Sequence, residues 1–171
     1  VVWPGTLTDA NYLEAREPAF LMSLIQESQT IAAALLDVST GEFTVADYRG
    51  ADGIQALSDE VSVLRPRELV VPQGSDIASR LPEVARLQIP VTAAEGWGFE
   101  AESARRTLLD QLRTRGVEGF GLEGRPLAIQ AAGGLLAHLR DTQKVDLAHI
   151  RAVVYRPAAD CLIVDPITLK H

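Results

Sequence analysis

The sequence is poor in features that would place it outside the ordinary globular class. Cysteine occurs once in 171 residues, at Cys161, which excludes an internal disulfide framework and predicts a reducing, cytoplasmic setting. No apolar run is long enough to span a bilayer and no signal-peptide pattern occurs, so we expect no membrane partner. The first residue is Val1 rather than methionine, and we expect the chain to be a piece of a longer protein.

Positive charge is also scarce. Sixteen lysines and arginines against 23 aspartates and glutamates give a net charge of −7, which opposes binding to a nucleic-acid backbone. The densest basic stretch is interleaved with acids: Arg105, Arg106, Arg113 and Arg115 stand among Glu100, Glu102, Asp110 and Glu118. This mixture favours the solvated face of a helix over a DNA-binding patch.

Residue patterns typical of enzymes are missing too. His138, His149 and His171 are not spaced with Cys161 or with one another as metal ligands would be, and we interpret them as structural residues. Trp97, like the other tryptophan, lacks basic neighbours and is interpreted as a packing residue. No Gly-x-x-x-x-Gly-Lys-Ser/Thr loop occurs that could cradle phosphates. We therefore predict no catalytic residue, no cofactor site and no metal site in this chain.

Three short strands are predicted near the start of the chain. Apolar residues broken by polar turns predict strands at 20–27, 30–37 and 42–48. Ser39-Thr40-Gly41 supplies a turn in which glycine can take a positive φ. Strands joined by such short turns form an antiparallel meander.

Helices and strands alternate after the meander. Asp52 is predicted to cap a helix that Pro66 ends, strands are predicted at 69–71 and 87–92, and a helix is predicted at 77–81 between them. This alternation implies right-handed crossovers and parallel pairing. We expect an α/β fold with a mixed sheet of about five strands and helices on both faces.

A longer helix is predicted at 100–115, with Gly116 just beyond its end. Its inner stripe consists of Ala101, Ala104, Leu108 and Leu112. Its outward face carries Glu102, Ser103, Arg106, Asp110 and Arg113. One side is therefore expected to be buried, and the other is offered to solvent or to a partner.

The last helix has almost no polar face. It begins near Pro126, and only Gln130 and His138 interrupt apolar or small residues between positions 127 and 139. Such a helix is expected to be covered on most sides. Gly133 and Gly134 each cost about 1 kcal/mol of helical stability relative to alanine, and we expect a neighbouring backbone to approach them closely.

A glycine pattern before this helix imitates a nucleotide-binding loop. Gly119, Gly121 and Gly124 match the spacing Gly-x-Gly-x-x-Gly. That fingerprint requires a strand directly before the first glycine and an acidic residue at the end of a second strand about twenty positions later. Here a helix precedes the glycines and another follows them. A close-packed turn is the simpler interpretation.

Several motifs together resemble one family. They occur in order along the chain as Pro4-Gly5-Thr6-Leu7-Thr8-Asp9, Leu13-x-Ala15-Arg16, Leu36-Asp37-Val38-Ser39-Thr40-Gly41-Glu42-Phe43, Gly119-Phe120-Gly121, Ala131-Ala132-Gly133, Asp141-Thr142-Gln143 and Leu147-x-His149-Ile150. The set resembles the connector domain of the MutS family of bacterial mismatch-repair proteins. Trp3 departs from the threonine usual at its position, and residues 17–20 replace a run that usually carries asparagine.

The resemblance implies a fold and domain limits. The fold would be ribonuclease H-like, a three-layer α/β/α arrangement with an antiparallel meander followed by βαβ units. Residues 1–9 would be the linker from a preceding mismatch-binding domain, and residues 10–150 the connector. Residues 151–171, with short strands predicted at 152–155 and 161–164, would hold its final strands or lead into a core domain.

The resemblance also implies a role and partners. The chain would transmit conformational change between the DNA-clasping and ATPase-linked core parts of its parent protein, and it would dock a MutL-like repair protein. Mismatched DNA would be bound only through the intact parent, and ATP and Mg²⁺ would bind elsewhere in that parent. No phenylalanine here is followed two positions later by glutamate, so the family's mismatch-reading wedge is absent.

Two places are candidates for partner docking. The first is the outward face of the 100–115 helix, centred on Arg106 and including Thr107 and Asp110. The second is the corner that contains Asp141 and Gln143. Charged residues at the rim of an interface tune encounter and register. A merely solvated helix face is an equal alternative.

Two other classes of function stay open at this point. In nucleases of the ribonuclease H-like fold, a first-strand carboxylate joins others to hold paired divalent metals, and Asp37 is the residue that raises this possibility. The position before Ser39-Thr40-Gly41 instead favours a turn residue that accepts backbone hydrogen bonds. The second class is a protein-interaction module unrelated to repair.

Overall fold

A computed structural model of the chain describes residues 19–142 and 147–157. Its first part is the predicted antiparallel meander, with strands β1 (Phe20–Glu27), β2 (Thr30–Asp37) and β3 (Phe43–Arg49). The turn between β2 and β3 contains Gly41 at φ +82°, as predicted. Side chains along these strands alternate between the two faces of the sheet, so each face can carry its own apolar core.

The second part adds helices and parallel strands. It comprises α1 (Gly50–Leu64), β4 (Glu68–Pro72), a 3₁₀ turn at Ile77–Arg80, α2 (Pro82–Arg86), β5 (Val91–Ala94), a 3₁₀ turn at Gly96–Phe99, α3 (Ala101–Leu112), a 3₁₀ turn at Glu118–Phe120, α4 (Pro126–Thr142) and β6 (Val154–Pro157). β4 pairs parallel with β1, β5 parallel with β4, and β6 parallel with β3. The mixed sheet is confirmed, and over the described residues it has six strands rather than about five, in the order β5-β4-β1-β2-β3-β6.

The two faces of the sheet bury separate apolar clusters. On one face, Leu36, Val45 and neighbouring residues pack against α3 and α4. On the other, Met22, Leu35 and their neighbours pack against α1, α2 and the Ile77–Arg80 turn. This is the three-layer α/β/α arrangement expected of a ribonuclease H-like fold.

Two helices begin or end at residues other than those predicted from the sequence. The helix predicted to start at Asp52 begins at Gly50, with Arg49 as its N-cap, so Asp52 lies in the first turn instead. The helix predicted to run to position 115 stops at Leu112, because Arg113 takes the left-handed conformation at φ +53° and its N–H binds the carbonyls of Asp110 and Leu109. Gly116 is therefore not the residue that ends this helix.

Three further predictions needed correction. The strand expected at 87–92 is β5, which begins at Val91 because its register is set by parallel pairing with Leu69 on β4. The helix expected at 77–81 is a short 3₁₀ turn followed by α2. Ala101, predicted to lie on the inner stripe of α3, is exposed in its first turn.

The last helix is covered on most sides, as its sequence predicts. Eleven residues of α4 are buried, including both mid-helix glycines. A Cβ added to Gly133 would collide with the backbone carbonyl of Ala104 on α3, which confirms the predicted close approach. At Gly134 the neighbour is instead the ring of Phe99.

The chain returns to the sheet after α4. β6 joins the free side of β3, and Arg156 on β6 contacts Glu60 Oε1 on α1 at 2.8 Å. Glu60 is buried, and its other oxygen accepts a 2.7 Å hydrogen bond from the Tyr48 hydroxyl. The strand predicted at 152–155 therefore forms two residues later, at Val154–Pro157, and belongs to this sheet, whereas the one predicted at 161–164 lies outside the described residues.

In the described ranges, none of the helices has both the length and the apolar character needed to cross a membrane.

Candidate partner-docking surface

The outward face of α3 forms as its sequence pattern predicts. Ala104, Leu108 and Leu112 are buried, at spacings of four residues that keep them on one side of the helix. Arg106 and Asp110 fall on the opposite side and are exposed. The helix therefore presents one apolar face to the core and one charged face to solvent.

Close packing against α4 fixes the orientation of α3. The contacts advance in the same direction along both helices, from Ala104 against Gly133 to Gln111 against Arg140. The absence of a side chain at Gly133 lets the two backbones meet, so α3 has little freedom to rotate or slide.

The C-terminal half of α3 is also tied to the chain that follows α4. Gln111 Nε2 donates to the carbonyl oxygens of Leu147 and Ile150, at 2.8 and 3.1 Å. His149, in the same segment, donates from Nε2 to the carbonyl of Val38 at 2.8 Å. A Cβ on Gly41 would lie 2.8 Å from the His149 carbonyl oxygen, so two of the sequence motifs meet here.

A shallow depression lies along the exposed side of α3 and its end. Its volume is about 410 Å³, and it is lined by Arg106, Leu109, Asp110, Arg113, Thr114 and Arg115. Asp110 Oδ2 lies 3.1 Å from Arg140 Nη2 on α4, and this ion pair offsets its charge. Three arginines therefore dominate the depression, in a chain whose net charge is −7.

Thr107, the third residue predicted at this surface, plays a smaller part. It is half-buried, and its hydroxyl donates to the Ser103 carbonyl oxygen one helical turn earlier at 2.9 Å. Its donor is satisfied within α3, so it can contribute van der Waals contact at the rim of the face more readily than a new hydrogen bond.

The second predicted corner is only partly described. Asp141 is exposed in the last turn of α4, whereas Gln143 lies outside the described residues. Arg140 connects the two candidate surfaces. It lies in the last turn of α4, beside Asp141, and its side chain reaches Asp110 on α3.

Asp37 has the geometry of a turn residue. Its Oδ1 accepts hydrogen bonds from the Ser39 backbone N–H at 3.0 Å and from the Ser39 hydroxyl at 2.6 Å. Burial raises the pKa of Asp37, but these bonds and others from Thr40 outweigh it, so the pKa is lowered from its ordinary value. No group of three or more potential metal ligands forms among residues 19–142 and 147–157.

The nucleotide-like glycine pattern is a turn. Gly121 and Gly124 both have φ near +75°, a conformation that side chains rarely adopt. In the described part of the chain, no strand directly precedes Gly119. A short irregular connection leads from the end of α3 to the 3₁₀ turn that contains this glycine. The predicted turn is confirmed, but it is not close-packed: all three glycines are exposed, and a Cβ added to Gly119 or Gly124 would meet nothing within 4 Å.

Sequence reasoning missed one concave site. Trp97, interpreted as a packing residue, is 49% exposed and borders a groove between β5 and the end of α4. The sequence contained one hint of this exposure. Glu95 stands two positions before the tryptophan, and its carboxylate accepts a hydrogen bond from the indole N–H.

Two comparisons with known proteins agree. A family model described as MutS domain II matches residues 19–151. The DNA mismatch repair protein MutS of Symbiobacterium thermophilum is 33% identical over 174 aligned residues, which cover all of this chain and 20% of that protein. The chain thus spans about a fifth of the length of the curated relative it matches.

Proposed function

The chain belongs to the MutS family and is its connector domain, domain II, and from this we propose that it serves its parent protein as a non-catalytic connector. In this role it transmits conformational change between the DNA-clasping and ATPase-linked core parts and docks a MutL-like repair protein. ATP, Mg²⁺ and mismatched DNA bind elsewhere in the parent. Its single cysteine, Cys161, favours a cytoplasmic setting for that protein.

The observation that carries the docking proposal is the exposed face of α3. Arg106 is exposed and has no ion pair within the described part of the chain. The depression beside it carries two more arginines, so it suits an acidic partner surface. Because α3 is anchored by Gly133 and Gln111, the backbone that carries Arg106 is already ordered before a partner binds.

Transmission is supported by the way α4 joins the layers. It packs on β1, β2 and β3 and against α3. The segment after it is bonded to α3 through Gln111 and to the β2–β3 turn through His149. A displacement applied at one side of the domain is therefore passed to the others, because a close-packed interior deforms little.

The test is a charge reversal in the full-length parent protein. Arg106→Glu places a negative charge where the proposal requires attraction, and we expect MutL-like partner recruitment to fall by roughly five- to tenfold at low salt. Mismatch binding should stay unchanged, since Arg106 lies outside the DNA-clasping parts.

Arg80→Glu supplies the matched control. Arg80 is exposed in the 3₁₀ turn that packs on the other face of the sheet. The same reversal there should leave recruitment unaltered. Equal recruitment by the parent and its Arg106→Glu variant would reject this docking face.

The nuclease alternative has no comparable support. It requires several carboxylates around Asp37, and that residue is already engaged by Ser39 in a turn. A module unrelated to repair is excluded by the family to which the chain belongs.

A further inference from the structure

A groove lies on a second side of α4: Gly134 and Asp141 line it, whereas their neighbours Gly133 and Arg140 face α3. It runs between β5, the Gly96–Phe99 turn and the last turns of α4, with a volume of about 240 Å³. β5 is an edge strand with only β4 beside it among the described strands, so the groove is open at the margin of the sheet. The residues that define its chemistry are Thr92, Glu95, Trp97, His138, Asp141 and Thr142.

Trp97 is the most unusual of these residues. Its side chain is one of the largest apolar groups in the protein, yet 49% of the residue is exposed. The indole Nε1 donates a 2.7 Å hydrogen bond to Glu95 Oε2, which restrains the ring beside the groove. An aromatic face held open to solvent in this way can stack on a planar or charged group.

The charges around the groove are of one sign. Among the described residues, Glu95 and Asp141 line it, and neither a lysine nor an arginine does. Arg140, which precedes Asp141 in the sequence, turns away from the groove, because its guanidinium contacts Asp110 and Gln111 on α3. His138 is almost wholly buried and lies 3.6 Å from Glu68, which is another carboxylate.

We propose that this groove receives an arginine side chain from an exposed loop of a partner protein, with the guanidinium stacked on Trp97 between Glu95 and Asp141. Arginine fits better than lysine, because its planar cation can stack on the indole while its N–H groups reach carboxylates at the sides. The net charge of −7 favours encounter with a basic partner.

This inference goes beyond the docking role of α3. The α3 depression is dominated by arginines and suits an acidic surface, whereas the Trp97 groove suits a basic one. Recruitment by the Arg106→Glu parent tests the first surface, and the titration below tests the second, so either can fail alone.

The probe is an end-blocked pentapeptide with one central arginine among glycines and serines. The same peptide with citrulline, the neutral isostere of arginine, is its control. The chain contains two tryptophans, so Trp3→Phe leaves Trp97 as the sole indole emitter. In low salt, the arginine peptide should produce a saturable change in Trp97 emission, and the citrulline peptide should not.

Glu95→Gln and Asp141→Asn test the carboxylates in the same background. Glutamine keeps an oxygen that can accept the Trp97 N–H, so Glu95→Gln removes charge without releasing the ring. Each variant should weaken arginine-peptide binding by about two- to fivefold. Asp59→Asn, at an exposed site on α1, should not change it.

Trp97→Leu, followed by calorimetry instead of emission, should weaken binding by about fivefold. Circular dichroism melting curves that match the parent chain will show that each variant is folded. The proposal is overturned if both peptides bind equally, if neither gives a saturable signal, or if Asp59→Asn weakens binding as much as Asp141→Asn does.

Discussion

At the scale of single residues, the contact between α3 and α4 depends on the missing side chain of Gly133. Alanine would raise the helical propensity of α4 by about 1 kcal/mol. Its Cβ would, however, collide with the Ala104 carbonyl, a backbone atom that cannot move without moving α3. The clash should dominate, because overpacking a well-packed interior typically costs about 1–3 kcal/mol.

We predict that Gly133→Ala lowers the free energy of unfolding by about 1–3 kcal/mol in urea denaturation. Gly119→Ala is the matched control, because an added Cβ there meets nothing within 4 Å. It should change stability by less than about 0.5 kcal/mol. Equal effects of the two substitutions would show that stability does not depend on the close approach of α3 to Gly133.

The turn after β2 depends on an ionised Asp37. The folded-state pKa of this carboxyl is lowered, so its contribution to stability is fully present above the unfolded pKa of about 3.9. That contribution is lost as the pH falls through the folded pKa. Asp37→Asn keeps an acceptor oxygen and removes the charge.

We predict that Asp37→Asn is less stable than the parent chain by about 1 kcal/mol at pH 7, since hydrogen bonds to a charged acceptor are stronger. The difference should shrink below about pH 4, as the parent loses its own charge. Thermal melts across this pH range measure it. A difference that stays constant down to acidic pH would contradict the assigned role of the carboxylate.

At the scale of elements, β6 is held by a buried charge pair as well as by its strand hydrogen bonds. Glu60 on α1 is 3% exposed and is contacted by Arg156 on β6 and by Tyr48 on β3. Removing one partner of a buried pair leaves a charge without compensation, which costs more than the pair itself contributes.

We predict that Arg156→Met lowers the free energy of unfolding by about 2–4 kcal/mol. Amide hydrogen exchange in β6 and the adjoining part of β3 should accelerate more than exchange in β1. Arg151→Met is the control for loss of an arginine, because Arg151 is exposed and makes one long contact with a carbonyl. A loss of stability no larger than that of the control would show that the pair between Arg156 and Glu60 does not stabilise β6.

Helix ends and long-range contacts mark the limit of what the sequence could predict. The meander and the faces of α3 and α4 follow from hydrophobic periodicity, which is a local property. Asp52 and Gly116 carried good local signals for helix ends, but α1 begins directly after β3, with Arg49 as its N-cap, and α3 ends at the left-handed Arg113. Propensity is a weak guide at such positions.

The candidate site was partly predictable for the same reason. Arg106 and Asp110 are exposed because they lie opposite an apolar stripe that the sequence displays. The ion pair between Asp110 and Arg140 joins residues thirty positions apart, and no rule of sequence spacing predicts it. Trp97 is exposed although its residue type favours burial, because β5 ends the sheet beside it.

At the scale of the whole molecule, the described part presents two chemically different surfaces beside α4. The α3 side carries arginines, and the β5 side carries Trp97 with two carboxylates. A connector that had only to space two neighbours would need neither. Close-packed layers with distinct charged surfaces suit the proposed role, in which the domain transmits motion and is recognised by other proteins.

Competition by the isolated chain measures that recognition without relying on the stability of the parent protein. The 171-residue chain is added in large excess to mismatch-bound parent protein and its MutL-like partner, and partner recruitment is followed. We predict that recruitment falls as the chain is added, that the Arg80→Glu chain competes equally well, and that the Arg106→Glu chain competes poorly. Undiminished recruitment in the presence of the folded chain would contradict the proposed role of the connector as a docking domain.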